Sequence, residues 1–330
     1  MSLESSFIPV TSPITADEVR WAIAHLTSSN QPTGSSKASS SLRLAPPEWS
    51  WNIHCIHQTP STNAALWQWL DDSPDPSPDK LVQPTAAPVL IAHEQTHGRG
   101  QRARQWLSPP GGLYLSAAIP SRLTLTAQDT PMITLSTACG IAFMLSAAGV
   151  PIQLKWPNDL VVDGKKLGGI LIESRLQGDR LSRCIVGVGI NWMNPVPSTG
   201  VSLHSLLTAE SAHHCRQLSD VAALVLLGIE AGIMHWKRHG KEAIAHTYTQ
   251  FLNSVHQWIP IPETVKPERI KPESIETMGD RPSVHEQAKG QIIGVSPEGH
   301  LLVRVSDPHQ SAPCTLSFAP GTISTGYGQQ

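Results

Sequence analysis

The residues from Gly98 to Arg104 read GRGQRAR, so Arg99, Arg102 and Arg104 share one short stretch with Gly98 and Gly100. Arginine offers paired donors that match a phosphate or carboxylate, and glycine lets backbone approach a ligand closely. A solvated basic loop is the plain alternative. A Walker A loop is excluded, because no GxxxxGK[ST] occurs in the chain. A further charge stands at Lys155. With residues 152–156 as a strand, Ile152, Leu154 and Trp156 share one face, while Gln153 and Lys155 share the other. Lys155 therefore leaves the apolar layer, and an ordinary solvated lysine is the plain alternative. In VGVGINW, Val186, Val188 and Ile190 fall on one face and Gly187, Gly189 and Asn191 on the opposite one. Two glycines two apart strip a patch of sheet of side chains, which weakens the strand unless a helix or a flat ligand packs there. Gly168 and Gly169 clear more room, and Asn191 adds a donor and an acceptor. A bare trough, an outward lysine and an arginine loop fit a compact ligand with an apolar part and an anionic part.

One motif is set aside. His93–His97 reads HEQTH, the zinc protease pattern, whose chemistry needs both imidazoles on one helix face. Here it follows a strand-like run, Val89–Ala92, and two glycines come straight after it. The extended motif has Ala103 where a third histidine belongs, and no Asp, Glu or His occurs between Gly98 and Gln128. No zinc is expected.

The elements that must hold these residues are legible in outline. ADEVRWAIAHL reads as a short amphipathic helix, followed by a Ser/Thr/Gly-rich linker. WNIHCIHQ alternates as a strand, and STNAALWQWL reads as a helix with a Ser/Thr cap. A Pro-rich loop precedes the strand PVLIAHEQ, and GGLYLSAAI is another strand. Thr130–Pro131 opens a long buried helix with Gly149 near its end. A meander follows: IQLKW, DLVV, a turn at Asp163–Gly164, KLGGILIES, a turn at Gln177–Asp179, then RCIVGVGINW. Helices are expected at about 219–238 and 241–255. A linker, IPIPETVKPERIKPES, then leads to short strands with Gly turns, the pattern of a small β-barrel.

Composition sets the outer bounds. The 330 residues suggest about two domains, with 40% hydrophobic residues to build their cores. A net charge of −2 argues against a chain built mainly to hold nucleic acid, and no second helix completes a DNA-reading helix-turn-helix. The five cysteines are widely spaced without a CxxC, which points to reduced thiols in a cytoplasmic protein. No charge occurs from Thr130 to Leu154, but its polar and Pro/Gly residues leave apolar runs too short for a membrane span.

The runs STN, GRG followed by Arg104 and Trp106, GGLYLS, KWPNDL, KLGGILIE and VGVGIN, in this order, closely resemble a biotin–protein ligase. The resemblance is strong from Ile53 to Asn194 and weaker beyond. It implies an α+β fold: a mixed, largely antiparallel sheet with helices, like class II aminoacyl-tRNA synthetases, plus a small SH3-like C-terminal β-barrel. The implied division is an extension over 1–50, a catalytic domain over 51–258 and the SH3-like domain over 264–330. The family's N-terminal DNA-binding domain is not expected here.

The resemblance implies activation of biotin by ATP, with Mg²⁺, to biotinyl-5′-AMP. Transfer to a lysine of the biotin carboxyl carrier protein of acetyl-CoA carboxylase follows. It places Ser61, Thr62, Asn63, Gln95, Arg99, Gly100, Gln101, Lys155, Gly187 and Gly189 at biotin. Arg102, Arg104, Trp106, Lys166 and Asn191 fall at ATP, with Lys155 and Arg99 catalytic. Where the family commonly reads GRGR, this chain has Gln101, which lacks the charge that helps retain the adenylate; Arg102 is the candidate substitute. Lipoate–protein ligases share the chemistry and form the main alternative. A biotin-responsive regulator lacks its DNA domain here.

Overall fold

Strict alternation of apolar residues along VGVGI and the neighbouring runs demands a sheet with two different faces. The chain supplies one. The computed structural model describes residues 13–27, 46–72, 86–208, 211–261, 268–270, 289–305 and 314–323. The linker after the first helix and the Pro-rich loop before Pro88 lie outside these residues. The described elements are α1 (Ala16–Thr27), β1 (Trp51–Thr59), α2 (Thr62–Asp72), β2 (Ala87–Gln95), β3 (Leu113–Ala118) and α3 (Thr130–Ala147). Then come β4 (Gln153–Lys155), β5 (Asp159–Val162), β6 (Lys165–Gln177), β7 (Arg180–Ile190) and α4 (Leu218–Phe251).

Seven strands form one sheet in the order β1-β2-β3-β7-β6-β5-β4. Only β1 and β2 pair in parallel; the other pairings are antiparallel, as expected. The two faces sort as the alternation requires. Val186, Val188 and Ile190 join the main core with α3 and α4, while Ile185, Leu90 and Ala118 pack with Leu66 of α2 on the opposite face. Gly187 and Gly189 belong to that second face. The β5–β6 hairpin turns at Asp163 (φ 49°) and Gly164 (φ 73°), the left-handed pair that an Asp-Gly turn provides.

Helices α3 and α4 are each long and apolar enough to cross a membrane by composition, but here they pack on one another in the core. α4 is broken at Gly240 (φ 86°, ψ 178°), so the expected two helices exist, the second ending at Phe251 rather than Val255.

The C-terminal strands are β8 (Trp258–Pro260), β9 (Glu268–Ile270), β10 (Lys289–Val295), β11 (Leu301–Val305) and β12 (Cys314–Phe318). They form an antiparallel five-stranded sheet in the order β8-β10-β11-β12-β9. Glu268–Ile270 was expected to be linker, and β8 begins at the end of the expected catalytic range. Both are three-residue edge strands, the positions where a Pro-rich segment can still pair. The rest of that segment, 262–267 and 271–288, lies outside the described residues. Trp156 Nε1 donates to the Gly299 carbonyl at 3.0 Å, tying the C-terminal sheet to the residue after Lys155.

Glu230 of α4 is 5% exposed, and its Oε1 accepts the backbone N–H groups of Glu48 and Trp49. Burial pushes its carboxyl up to about 7, against the pull of the Trp49 N–H and Arg122. The folded chain then holds this proton more tightly than the unfolded chain. Stability from this group is complete below pH 4.5 and decays as pH rises to about 7. Glu230→Gln is expected to flatten that decline in urea midpoints taken from pH 5 to pH 8. Parallel declines in both proteins would remove Glu230 as the cause.

Candidate active site

The second sheet face, the α2 N-terminus and the loop after β2 enclose a cavity of about 300 Å³, at the small end of the range for small-molecule sites. Its wall includes Ser61, Thr62 and Asn63 at the start of α2, and Gln95 at the end of β2. Gly100, Gln101, Arg102, Arg104 and Trp106 come from the loop, and Lys155, Lys166, Gly187 and Gly189 from the sheet. Thirteen of the fifteen residues singled out in the sequence thus meet at one cavity. Arg99 and Asn191 are not in its wall. Arg99 Nη2 pairs with Glu173 Oε2 at 3.1 Å, and Asn191 bonds to Asn194 and the Lys166 carbonyl.

Lys155 faces away from Leu154 and Trp156, as alternation predicts, but it is not a solvated lysine. It is 8% exposed. Burial lowers its pKa from 10.5 to about 8; Asp159 pulls it up, and Lys166 and Arg104 push it further down. Asp159, two residues past Pro157, was not singled out in the sequence. Its Oδ1 lies 2.6 Å from Lys166 Nζ, and Lys166 Nζ stands 5.2 Å from the Trp106 ring centre. Arg102, Arg104, Lys155 and Lys166 thus face one carboxylate, Asp159, in the wall. That excess of cations favours an anionic ligand.

The glycine trough is not bare. A Cβ at Gly187 would collide with the Asn63 carboxamide, and one at Gly189 would lie 2.6 Å from Trp106 Nε1. The sequence weighed a helix or a ligand over these glycines. A helix does cover one of them, the first turn of α2 over Gly187, while a loop tryptophan, which neither alternative named, covers Gly189.

The expected Ser/Thr cap of α2 is replaced by a distant side chain. Gln95 Oε1 accepts the Thr62 N–H at 2.8 Å. Arg102 (φ 57°) and Ala103 (φ 55°) are both left-handed, which brings the Arg102 guanidinium against Gly321. Gly321 and Ile323 close the cavity from the C-terminal sheet side, and nothing in the sequence signalled their part. HEQTH runs from β2 into a turn, so it lacks the helix that its metal chemistry needs. Among the described residues, no group of three or more His, Cys, Asp and Glu could hold a metal.

Residues 76–191 match the model of the Biotin/lipoate A/B protein ligase family. The bifunctional ligase/repressor BirA of Bacillus spizizenii is 39% identical over 105 residues, covering 31% of this chain and 32% of that protein. A biotin–[acetyl-CoA-carboxylase] ligase of Paracoccus denitrificans is 36% identical over 110 residues, covering 31% and 43%. The alignments thus span less than half of these relatives' lengths. Among solved structures, the biotin protein ligase from Aquifex aeolicus in complex with biotin and ATP matches with a TM-score of 0.56 at 20% identity. That match covers 82% of this chain and 96% of that one. The chain therefore has the biotin protein ligase fold, and its residues 76–191 match the model of the Biotin/lipoate A/B protein ligase family.

Proposed function

We propose that the chain is a biotin–protein ligase. The observation that carries this reading is Lys155, a buried cation in a cavity with the polar start of α2 at one side and Arg104 and Lys166 at another. A biotin carboxylate oxygen attacks the α-phosphorus of ATP, the α–β phosphoanhydride breaks, and pyrophosphate leaves. The neutral ε-amine of an acceptor lysine then attacks the acyl carbon of biotinyl-5′-AMP, AMP departs, and the amine loses a proton. Negative charge builds where carboxylate and phosphate meet, and a fixed cation at that point lowers the barrier. Lys155 fills this role, with Arg104 and Lys166 on the nucleotide side. In this reading Arg99 belongs to a loop that closes over the adenylate, leaving Glu173 as it does so.

Magnesium enters as part of the MgATP co-substrate. Asp159 is the one carboxylate in the cavity wall and is engaged with Lys166, which suits an ion carried mainly on the phosphates rather than a protein cage. The acceptor in this reading is the biotin carboxyl carrier protein of acetyl-CoA carboxylase, the division 51–258 and 264–330 describes its two working parts, and the setting is cytoplasmic.

Biotin-dependent exchange of labelled pyrophosphate into ATP is the expected result with the purified chain. Exchange with lipoate alone would move the assignment to lipoate ligases. Exchange with neither acid would overturn the acyl-adenylate reading.

A further inference from the structure

Two buried donors at the glycine floor have no partner: Asn63 Nδ2 beside Gly187 and Trp106 Nε1 beside Gly189. A buried donor without a partner is costly, so such groups are retained where a ligand acceptor satisfies them. They come from separate elements, α2 and the loop after β2. One chain of hydrogen bonds joins the two. Gln95 Oε1 accepts the Thr62 N–H at 2.8 Å, and Gln95 Nε2 donates to Ser108 Oγ at 2.8 Å. Ser108 Oγ in turn donates to the Trp106 carbonyl at 3.0 Å. Ser108 is 5% exposed, so water does not compete for these bonds. The absence of a side chain at Gly98 makes room for the chain: a Cβ there would lie 2.5 Å from Ser108 Oγ and 3.1 Å from Gln95 Nε2. Gly98 also accepts the Trp106 N–H through its carbonyl at 2.9 Å.

We propose that Ser108 is a positioning residue, whose hydroxyl fixes Trp106 relative to Asn63 by way of Gln95. Its consequence for catalysis rests on the ligase reading above; its mechanical role does not. Ser108 lies outside the cavity wall and acts only through Trp106 and Gln95. This gives the first glycine of GRG a specific task, room for the relay, alongside the close approach that the loop itself needs.

Ser108→Ala tests the proposal in three measurements. Amide hydrogen exchange is expected to quicken over 98–108 and at Thr62, with the α3 and α4 amides unchanged. In pyrophosphate exchange, the KM for biotin is expected to rise about tenfold, the scale of one hydrogen bond, while kcat moves less than about threefold. Ser108→Thr, which keeps the hydroxyl, is expected to restore the wild-type KM. Should the alanine variant not fold, Ser108→Cys, close in shape and weak in hydrogen bonding, carries the same measurements. Unchanged hydrogen exchange over 98–108, or faster exchange throughout the chain, overturns the positioning role. A fall in kcat at constant KM also overturns it, as does identical behaviour of the Ala and Thr variants. A wild-type chain inactive with biotin would refute the ligase reading instead, and hydrogen exchange would still decide the role of Ser108.

Discussion

Lys155→Ala is expected to lower biotin-dependent pyrophosphate exchange by about a hundredfold or more, the usual loss when one preorganised electrostatic stabiliser is removed. Alternation along β4 turns the lysine away from Leu154 and into the cavity wall. Its environment adds a second signature. With its pKa lowered from 10.5 to about 8, the cation is lost as pH rises through about 8, so exchange by the wild type should decline there. Lys155→Arg keeps its charge at all such pH values, and its residual activity should lack this alkaline limb. The stability consequence has the opposite sense. Between pH 8 and 10.5 the unfolded chain holds this proton and the folded chain does not, so the contribution of this group to stability rises across that window. Lys155→Ala should remove the rise. Near-normal exchange in the alanine variant would strike Lys155 from the mechanism, and an unaltered alkaline limb in the arginine variant would assign that limb to another group.

What the sequence revealed about this site follows a physical divide between local and distant causes. Which face a side chain takes is local: strand alternation placed Gly187 and Gly189 opposite Val186 and Val188, and Lys155 opposite Leu154. Turn chemistry at Asp163–Gly164 and the helix break at Gly240 were equally readable, because glycine, and Asp in a tight turn, tolerate left-handed angles cheaply. The lowered pKa of Lys155 was not readable, since it comes from burial in the folded chain and from the charges of Asp159, Lys166 and Arg104 converging from three segments. The same holds for Arg99, whose partner Glu173 is 74 residues away. Gly321, which meets Arg102 from the C-terminal sheet, is further still. The short strands β8 and β9 escaped because they fall within or beside the Pro- and charge-rich run IPIPETVKPERIKPES, which reads as a linker. Residue types already suggested that the arginine loop, the lysine and the two glycines serve one ligand with an apolar and an anionic part; the biotin-ligase runs added which ligand that is expected to be.

Gly232→Val is expected to cost about 3 kcal/mol or more, at the upper end for an overpacked core, and to lower the melting temperature by roughly 6–12 °C. No sequence signal marked this glycine; the packing of α3 on α4 does. A Cβ at Gly232 would collide with the Ser136 carbonyl oxygen and lie 2.7 Å from its carbon, and a Cβ at Gly140 would lie 2.7 Å from the Gly232 nitrogen. Gly228 completes the contact, with its Cβ position 2.8 Å from Ile141 Cα. These obstacles are backbone atoms of a neighbouring helix, so no rotamer change can relieve them, and α3 and α4 must separate. Between them they carry Ile133, Leu135, Leu226 and Ile229, all fully buried against the sheet face opposite the cavity. Prying the helices apart therefore loosens the main core before it touches the site. Gly189→Val makes the contrast, because there the first obstacle is the Trp106 side chain, which can swing away. Thermal melts of the two variants should show a large drop for Gly232→Val and a much smaller one for Gly189→Val. Equal drops would mean that the floor of the cavity is as rigid as the helix crossing, and a stable Gly232→Val would show that α3 and α4 do not pack at backbone contact.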